Sequence, residues 1–292
     1  MPAPVRLAVL IPAGPRDDIV DTLDSVVRYT DPASRVIVVV DDTKGVHGDR
    51  DHIASLSPDI AVIDPAPARP GTDGGLWIKV AAAYRWLLER YQPGLIMRLD
   101  ADALLLGRGI EAAAEAAFGQ DPQVGLLGSY RVGPAGAPRD FTPVARALRA
   151  EIGLRGLRNP RVRTGLRHLT RLARQHGYED GEHVLGCAYL HSLAAASTMN
   201  RNGWFDQPWL EASRLCDDQL MSLLTVAAGY RIADFGGPQH PLALKWQGLP
   251  AHPSDLLANG KLVTHSVRSW GDLSEKEIRG IFAAARASAH HR

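Results

Sequence analysis

Over its first 130 residues the chain alternates between short continuous apolar runs and longer segments with apolar residues at every third or fourth position. "RLAVLIP" (6–12) is a nearly unbroken apolar run closed by Pro12, the pattern of a strand buried on both faces. "DDIVDTLDSVVRY" (17–29) has helical spacing, with acids in its first turn where the helix dipole favours them. "RVIVVV" (35–40) and "IAVI" (60–63) predict two more strands. "WIKVAAAYRWLLERY" (77–91) predicts a helix, "GLIMRL" (94–99) a fourth strand, "IEAAAEAAF" (110–118) a helix and "VGLLGSY" (124–130) a fifth strand. Alternation of this kind predicts an α/β fold, a mainly parallel sheet flanked by helices, with ligands bound beyond the carboxyl ends of the strands.

The pattern breaks after residue 130. Residues 131–143 are rich in Gly and Pro, and residues 144–176 carry nine arginines against one acid, Glu151. The apolar residues among those arginines fit an amphipathic helical hairpin interrupted near Pro160. Apolar patterning returns with "HVLGCAYL" (183–190), a helix candidate "DQLMSLLTVAAG" (218–229) stopped by Gly229, and a short strand "KLVTHSV" (261–267). "SEKE" (274–277) reads as a capping box that opens a last helix.

Composition adds boundaries. With 292 residues, 45% of them hydrophobic and 22% charged, the chain can bury a large core. A formal net charge of +1 gives no global field toward nucleic acid or membrane. Two cysteines, Cys187 and Cys216, make neither a disulfide framework nor a zinc spacing, and suit a reducing cytoplasm. The opening "MPAPVRLAVLIPAG" lacks the basic lead and long apolar run of a secretory leader. No stretch approaches the roughly 20 apolar residues of a spanning helix.

The chemistry gathers at strand ends. Asp100 and Asp102 follow the strand 94–99, with only Ala101 between them. Two close carboxylates repel unless a cation lies between them, and hard divalent ions take such oxygen ligands together with phosphate and water. Asp41 and Asp42 follow the strand 35–40. Either pair alone also fits a solvated polar turn. Two pairs at the same edge of one parallel sheet are harder to ascribe to turns.

Four stretches in one order resemble the GT-A fold glycosyltransferases, family 2 in particular: "LAVLIPAG" (7–14), "VIVVVDDTKG" (36–45), "LIMRLDADALL" (95–105) and "CDDQLMSLLTVAAGYRI" (216–232). The resemblance implies a Rossmann-like nucleotide-diphospho-sugar transferase domain. Its nucleotide-sugar and metal half would be 1–131, its Arg-rich helical insert 132–182, and its acceptor and catalytic half 183–292. It implies a nucleobase loop at Pro12 and Ala13, and a base or ribose contact from Asp41 or Asp42. Asp102 would be the main metal ligand and Asp100 a metal-water or ribose contact, for Mn²⁺ or Mg²⁺. Such enzymes often supply a late His as a further metal ligand or phosphate contact, and "HSVRS" (265–269) resembles that segment, with His265 as metal ligand and Arg268 reaching the diphosphate; a packed or surface histidine is the plain alternative. Lys79 meets the base or diphosphate, or else snorkels at the surface. Asp217 and Asp218 open a helix, one as its cap and one, Asp218 for preference, as the general base of an inverting transfer; both as simple caps is the bland alternative.

The activity so implied is metal-dependent transfer of a sugar from a nucleoside diphosphate to a hydroxyl acceptor. A nucleotidyltransferase making nucleotide sugars would need a Gly-rich phosphate loop, where "PAGPRDD" (12–18) has a single Gly. A non-catalytic nucleotide-sugar-binding module is the third reading. Trp204, Trp209, Trp246 and Glu211 are sugar-contact candidates, with core or rim packing as their plain alternative. The segment 144–176 reads as a solvated helical insert or as a peripheral contact with an anionic surface or acceptor. No aromatic residues interleave its arginines as a single-stranded nucleic-acid platform requires. Tail residues His290 and His291 have no role.

Overall fold

The computed structural model describes residues 3–14, 19–41, 50–64 and 75–288. The first half runs β1 (Ala3–Ala13), α1 (Val20–Tyr29), β2 (Arg35–Asp41), α2 (Arg50–Ser55), β3 (Ile60–Ile63), α3 (Gly75–Arg90) and β4 (Tyr91–Leu99). It continues through β5 (Leu104–Leu105), α4 (Ile110–Gln120) and β6 (Val124–Gly128). Then come α5 (Thr142–Ile152), α6 (Pro160–Gln175), β7 (Ala188–Ser192), α7 (Leu193–Arg201) and α8 (Asp217–Ala227). The chain closes through β8 (Arg231–Asp234), β9 (Leu242–Leu244), α9 (Pro253–Ala258), β10 (Val263–His265) and α10 (Glu275–Ser288).

The central sheet has the order β3-β2-β1-β4-β7-β6-β8. Neighbours pair in parallel except at β7, which is antiparallel to both β4 and β6. The protein is therefore a mixed α/β fold with a mainly parallel central sheet flanked by helices, as the alternating pattern predicts.

Period-two alternation divides each central strand between two cores. Ala8, Leu10, Val36, Val38 and Ile96 face α3, α6, α7 and α8. Leu7, Val9, Ile11, Ile37, Leu95 and Met97 face α1 and α4 on the other side. In α3 the buried residues Trp77, Val80, Ala81, Tyr84 and Leu87 recur at helical spacing and cover the first of these faces. A third cluster, including Leu104, Ala243, Ile278 and Phe282, docks the C-terminal segment.

Residues 144–176 do form a helical hairpin. Pro160 is the first residue of α6, and the Asn159 side chain accepts from Val162 N–H at 3.5 Å. Val162, Leu166, Leu169 and Ala173 make the buried stripe of α6. Trp209 packs on this helix where Gly165 leaves room, since a Cβ there would lie 2.4 Å from the indole.

Some boundaries differ from expectation. The helix expected over 17–29 is described from Val20, with Asp17 and Asp18 outside the described residues. The strand expected over 124–130 stops at Gly128, because Tyr130 and Arg131 give their N–H groups to the Asp234 carboxylate at 2.9 and 3.0 Å. The strand expected over 261–267 narrows to Val263–His265, because Val267 N–H turns away to the Asp102 carbonyl at 3.1 Å.

Candidate active site

The site stands at the carboxyl ends of β1 and β4. A cleft of about 600 Å³ is walled by Pro12, Gly14, Lys79, Asp100, Asp102 and Trp246, with His265, Ser266 and Arg268 closing it. Its volume lies in the usual range for small-molecule sites.

After β4 the chain turns, with Asp100 N–H on the Cys187 carbonyl at 2.9 Å and Ala103 N–H on the Asp100 carbonyl at 3.1 Å. The turn presents both carboxylates to the cleft. Asp102 accepts from Ser266 Oγ at 2.7 Å and Arg268 Nε at 2.7 Å, and its Oδ1 lies 3.0 Å from His265 Nε2. Burial opposes ionisation of Asp102, but His265, Ser266 and Arg268 together hold its carboxyl well below the usual range. His265 is also buried, which opposes its charge, yet Asp102 and Asp100 raise its pKa above the ordinary value. Its Nδ1 lies 2.7 Å from the Lys245 carbonyl. An Nδ1–H bond to that carbonyl aims Nε2 at Asp102 and at Asp100 Oδ2, 3.5 Å away.

These donors fit a divalent cation. Asp100, His265 and the buried Cys187 bring one ligand atom each to within 4.8 Å of one another, and Asp102 lies against the same imidazole. Two carboxylate oxygens with one imidazole nitrogen suit Mn²⁺ or Mg²⁺.

The other expected residues fall as follows. Lys79 lines the cleft and donates to the Ala13 carbonyl at 2.9 Å, so it is not a free surface lysine. Pro12 lines the cleft, and Ala13 is buried at its edge. The register pairs Ala13 with Asp41, so the Asp41 backbone stands at the same edge. Asp42 lies outside the described residues, as do His290 and His291. Of the tryptophans, Trp246 reaches the cleft, 74% exposed, whereas Trp204 and Trp209 pack against the core. Glu211 lines a separate small cavity beside Trp77 and Phe205.

Asp217 and Asp218 are not on the cleft wall. They lie in the first turn of α8, 2% and 8% exposed. Neither is the helix cap: that position belongs to Cys216, whose N–H donates to the Gln219 side chain at 3.1 Å. The expectation that one Asp caps the helix is corrected on this point. Asp218 Oδ1 instead accepts the next N–H, from Gln219, at 2.8 Å. Burial raises the pKa of both acids, and Arg98 works against that rise.

Arg98 went unremarked in the sequence. It sits inside β4, 1% exposed, and joins the two acid groups. Its guanidinium lies 2.8 Å from Asp100 and 3.3 Å from Asp217, donates to the Gly186 carbonyl, and sits 5.8 Å from the centre of the Tyr189 ring. A charged residue within an otherwise apolar strand was the available signal, since a buried arginine must be paired. Gly186 is required here: a Cβ would stand 2.9 Å from the Asp218 carboxylate. Ser266 was likewise missed, and a serine in a polar segment gives no signal of its own. The His265–Ser266 peptide bond is cis.

Among the described residues, no helix is long and apolar enough to cross a membrane. No family model matches the chain. No curated protein matches it. Among solved structures it is similar to the mannosyltransferase PcManGT from Pyrobaculum calidifontis, determined in complex with GDP-Man and Mn²⁺. The two are 16% identical with a TM-score of 0.47, over 98% of this chain and 64% of that one. This chain thus spans 64% of the length of that protein, to which the nucleotide sugar and the ion belong.

Proposed function

We propose that this protein is a divalent-metal-dependent glycosyltransferase that moves a sugar from a nucleoside diphosphate to a hydroxyl acceptor, with inversion. One observation carries the reading. Asp100, Asp102 and His265 converge in a 600 Å³ cleft at the carboxyl edge of a mainly parallel sheet. The sequence resemblance in the stretches around Asp41, Asp102 and Asp217 supports the same reading.

Asp102, Asp100 and His265 would hold the cation, which would supply Lewis-acid neutralisation of the diphosphate leaving group. Lys79 and Arg268 flank the same cleft and add positive charge along the diphosphate. Pro12, Ala13 and the Asp41–Asp42 pair bind the nucleoside. Trp246 offers an exposed aromatic face for a sugar or base. Asp218, the more exposed of the α8 pair, takes the role of general base on the sequence resemblance; it stands against Gly186 behind the cleft lining, so the acceptor hydroxyl has to approach it from that side. Gln219 N–H holds the Asp218 carboxylate, and Arg98 joins the neighbouring Asp217 to Asp100.

The test is thermal stability against a panel of nucleoside diphosphates, each with Mn²⁺ or with EDTA. A native-state ligand raises the Tm by mass action. A metal-dependent rise with one nucleotide is expected, followed by sugar transfer from the matching donor in an acceptor screen. No rise with any nucleotide overturns the reading. Donor binding without turnover in any acceptor screen leaves a binding module, and pyrophosphate release from a nucleoside triphosphate and a sugar phosphate makes the protein a nucleotidyltransferase.

A further inference from the structure

The tip of the helical hairpin has an unusual surface. Leu154 is 83% exposed and Leu157 58% exposed, the most exposed large aliphatic side chains among the described residues. Both lie at the join between α5 and α6, where Arg155–Arg158 form a single 3-10 turn. Arg155, Arg158 and Arg161 are exposed around them, and none pairs with a carboxylate among the described residues. Glu151, the one acid of residues 144–176, is already engaged. It accepts from Ser213 Oγ at 2.6 Å and from Arg214 N–H at 2.7 Å, and so ties the hairpin to the segment that leads into α8.

A second feature lies further along the same hairpin. A cavity of about 590 Å³ between α5 and α6 is lined by Arg149, Arg167, Arg171 and Arg174. Thr170 also lines it, and the Thr170 hydroxyl is buried without a hydrogen-bond partner. Asp180, at 3.2 Å from Arg149 and 2.8 Å from Arg174, neutralises part of this charge only. The guanidinium groups here suit phosphoryl oxygens, which accept from them.

We infer that the hairpin tip docks on an anionic lipid bilayer, with Leu154 and Leu157 entering the headgroup boundary and the surrounding arginines meeting lipid phosphates. An apolar wedge and a basic ring are each weak anchors, and together they supply the two signals that stable peripheral binding needs. Charge complementarity selects this occupant. The hairpin is strongly basic while the rest of the chain is net acidic, so an anionic surface attracts this end and repels the remainder. The inference stands apart from the proposed transfer activity and does not depend on it.

The experiment is co-sedimentation of the whole protein with vesicles of phosphatidylcholine alone, or of phosphatidylcholine and phosphatidylglycerol in equal parts. Binding is expected with the anionic vesicles only, weakened roughly tenfold when salt rises from about 0.1 M to about 0.5 M. The double variant Leu154→Glu/Leu157→Glu and the triple variant Arg155→Gln/Arg158→Gln/Arg161→Gln each lose roughly tenfold or more in vesicle affinity. Both variants keep the parent Tm and nucleotide response, because these side chains are exposed. No binding to anionic vesicles, or undiminished binding by both variants, overturns the inference. So does dimerisation in vesicle-free solution that the leucine variant abolishes, which makes a second copy the occupant.

Discussion

Arg98 and Asp217 face each other in the interior, Nε to Oδ2 at 3.3 Å, with almost no exposed surface on either. The same guanidinium holds Asp100 at the cleft. One buried cation therefore couples the acids at the end of β4 to the acids at the start of α8. Removing one partner of a buried pair leaves an uncompensated charge, which costs more than the pair is worth. Arg98→Met should destabilise the protein by about 3–5 kcal/mol in urea unfolding. Asp217→Asn in the same chain should restore part of that loss. A cost under about 1 kcal/mol for Arg98→Met would show that the pair contributes little.

Asp102→Asn should abolish metal-dependent nucleotide binding and lower the transfer rate at least a hundredfold while the fold persists. The buried amide keeps a partner in Ser266 but loses its attraction to His265 and Arg268, at about 1–3 kcal/mol of stability. Isothermal titration of Mn²⁺ with the nucleoside diphosphate checks this. Undiminished affinity in a folded variant removes Asp102 from the ion.

Two buried histidines should weaken the fold as pH falls. Burial lowers the pKa of His191 to about 3; burial and the charge of Arg139 lower that of His183 to about 4. The unfolded chain takes up these protons near the ordinary value of about 6.5 while the native state refuses them. Each histidine therefore supports the fold fully above that value, and its support is lost as pH falls from about 6.5 toward the native pKa. His191 lies against Tyr84 Oη at 2.6 Å and Thr225 Oγ1 at 2.9 Å. Between pH 7 and pH 5 it should account for about 2 kcal/mol of lost stability. His191→Gln should be less stable at pH 7 but show a flatter decline, read by urea midpoints across that interval. A variant whose slope matches the parent would refute the assignment.

Trp246→Ala should leave the Tm within a degree or two, because the ring is mostly in water. If it stacks on substrate, KM for donor or acceptor rises several-fold while kcat holds. Unchanged KM for both substrates would leave the ring as rim surface.

The strands were legible because each is a short β-branched or apolar run, and the edge at which the cleft opens followed from parallel topology. Asp100, Asp102, His265, Arg268 and Lys79, separated by up to 189 positions in sequence, meet in one cleft. That convergence was legible only as a resemblance between stretches, since spacing along the chain holds no record of β5 and β10 meeting. The antiparallel strand β7 was hidden because "HVLGCAYL" reads equally as a strand of either direction. Burial of Asp217 and Asp218 was hidden too. Acids at a helix start normally face water, whereas here Arg98 meets Asp217 from within the sheet and Gly186 lies against Asp218.

Asp102 takes His265, Ser266 and Arg268 from positions 163, 164 and 166 residues further along. A contact of that span carries the loop-closure entropy of most of the chain and forms only when the β4 turn and the C-terminal segment are both in place. On the ribosome, the β4 acids emerge long before their partners. The Asp102 cluster is thus incomplete in any nascent chain that has not reached Arg268. Until then Asp102 lacks the three groups that hold its carboxyl below the usual range.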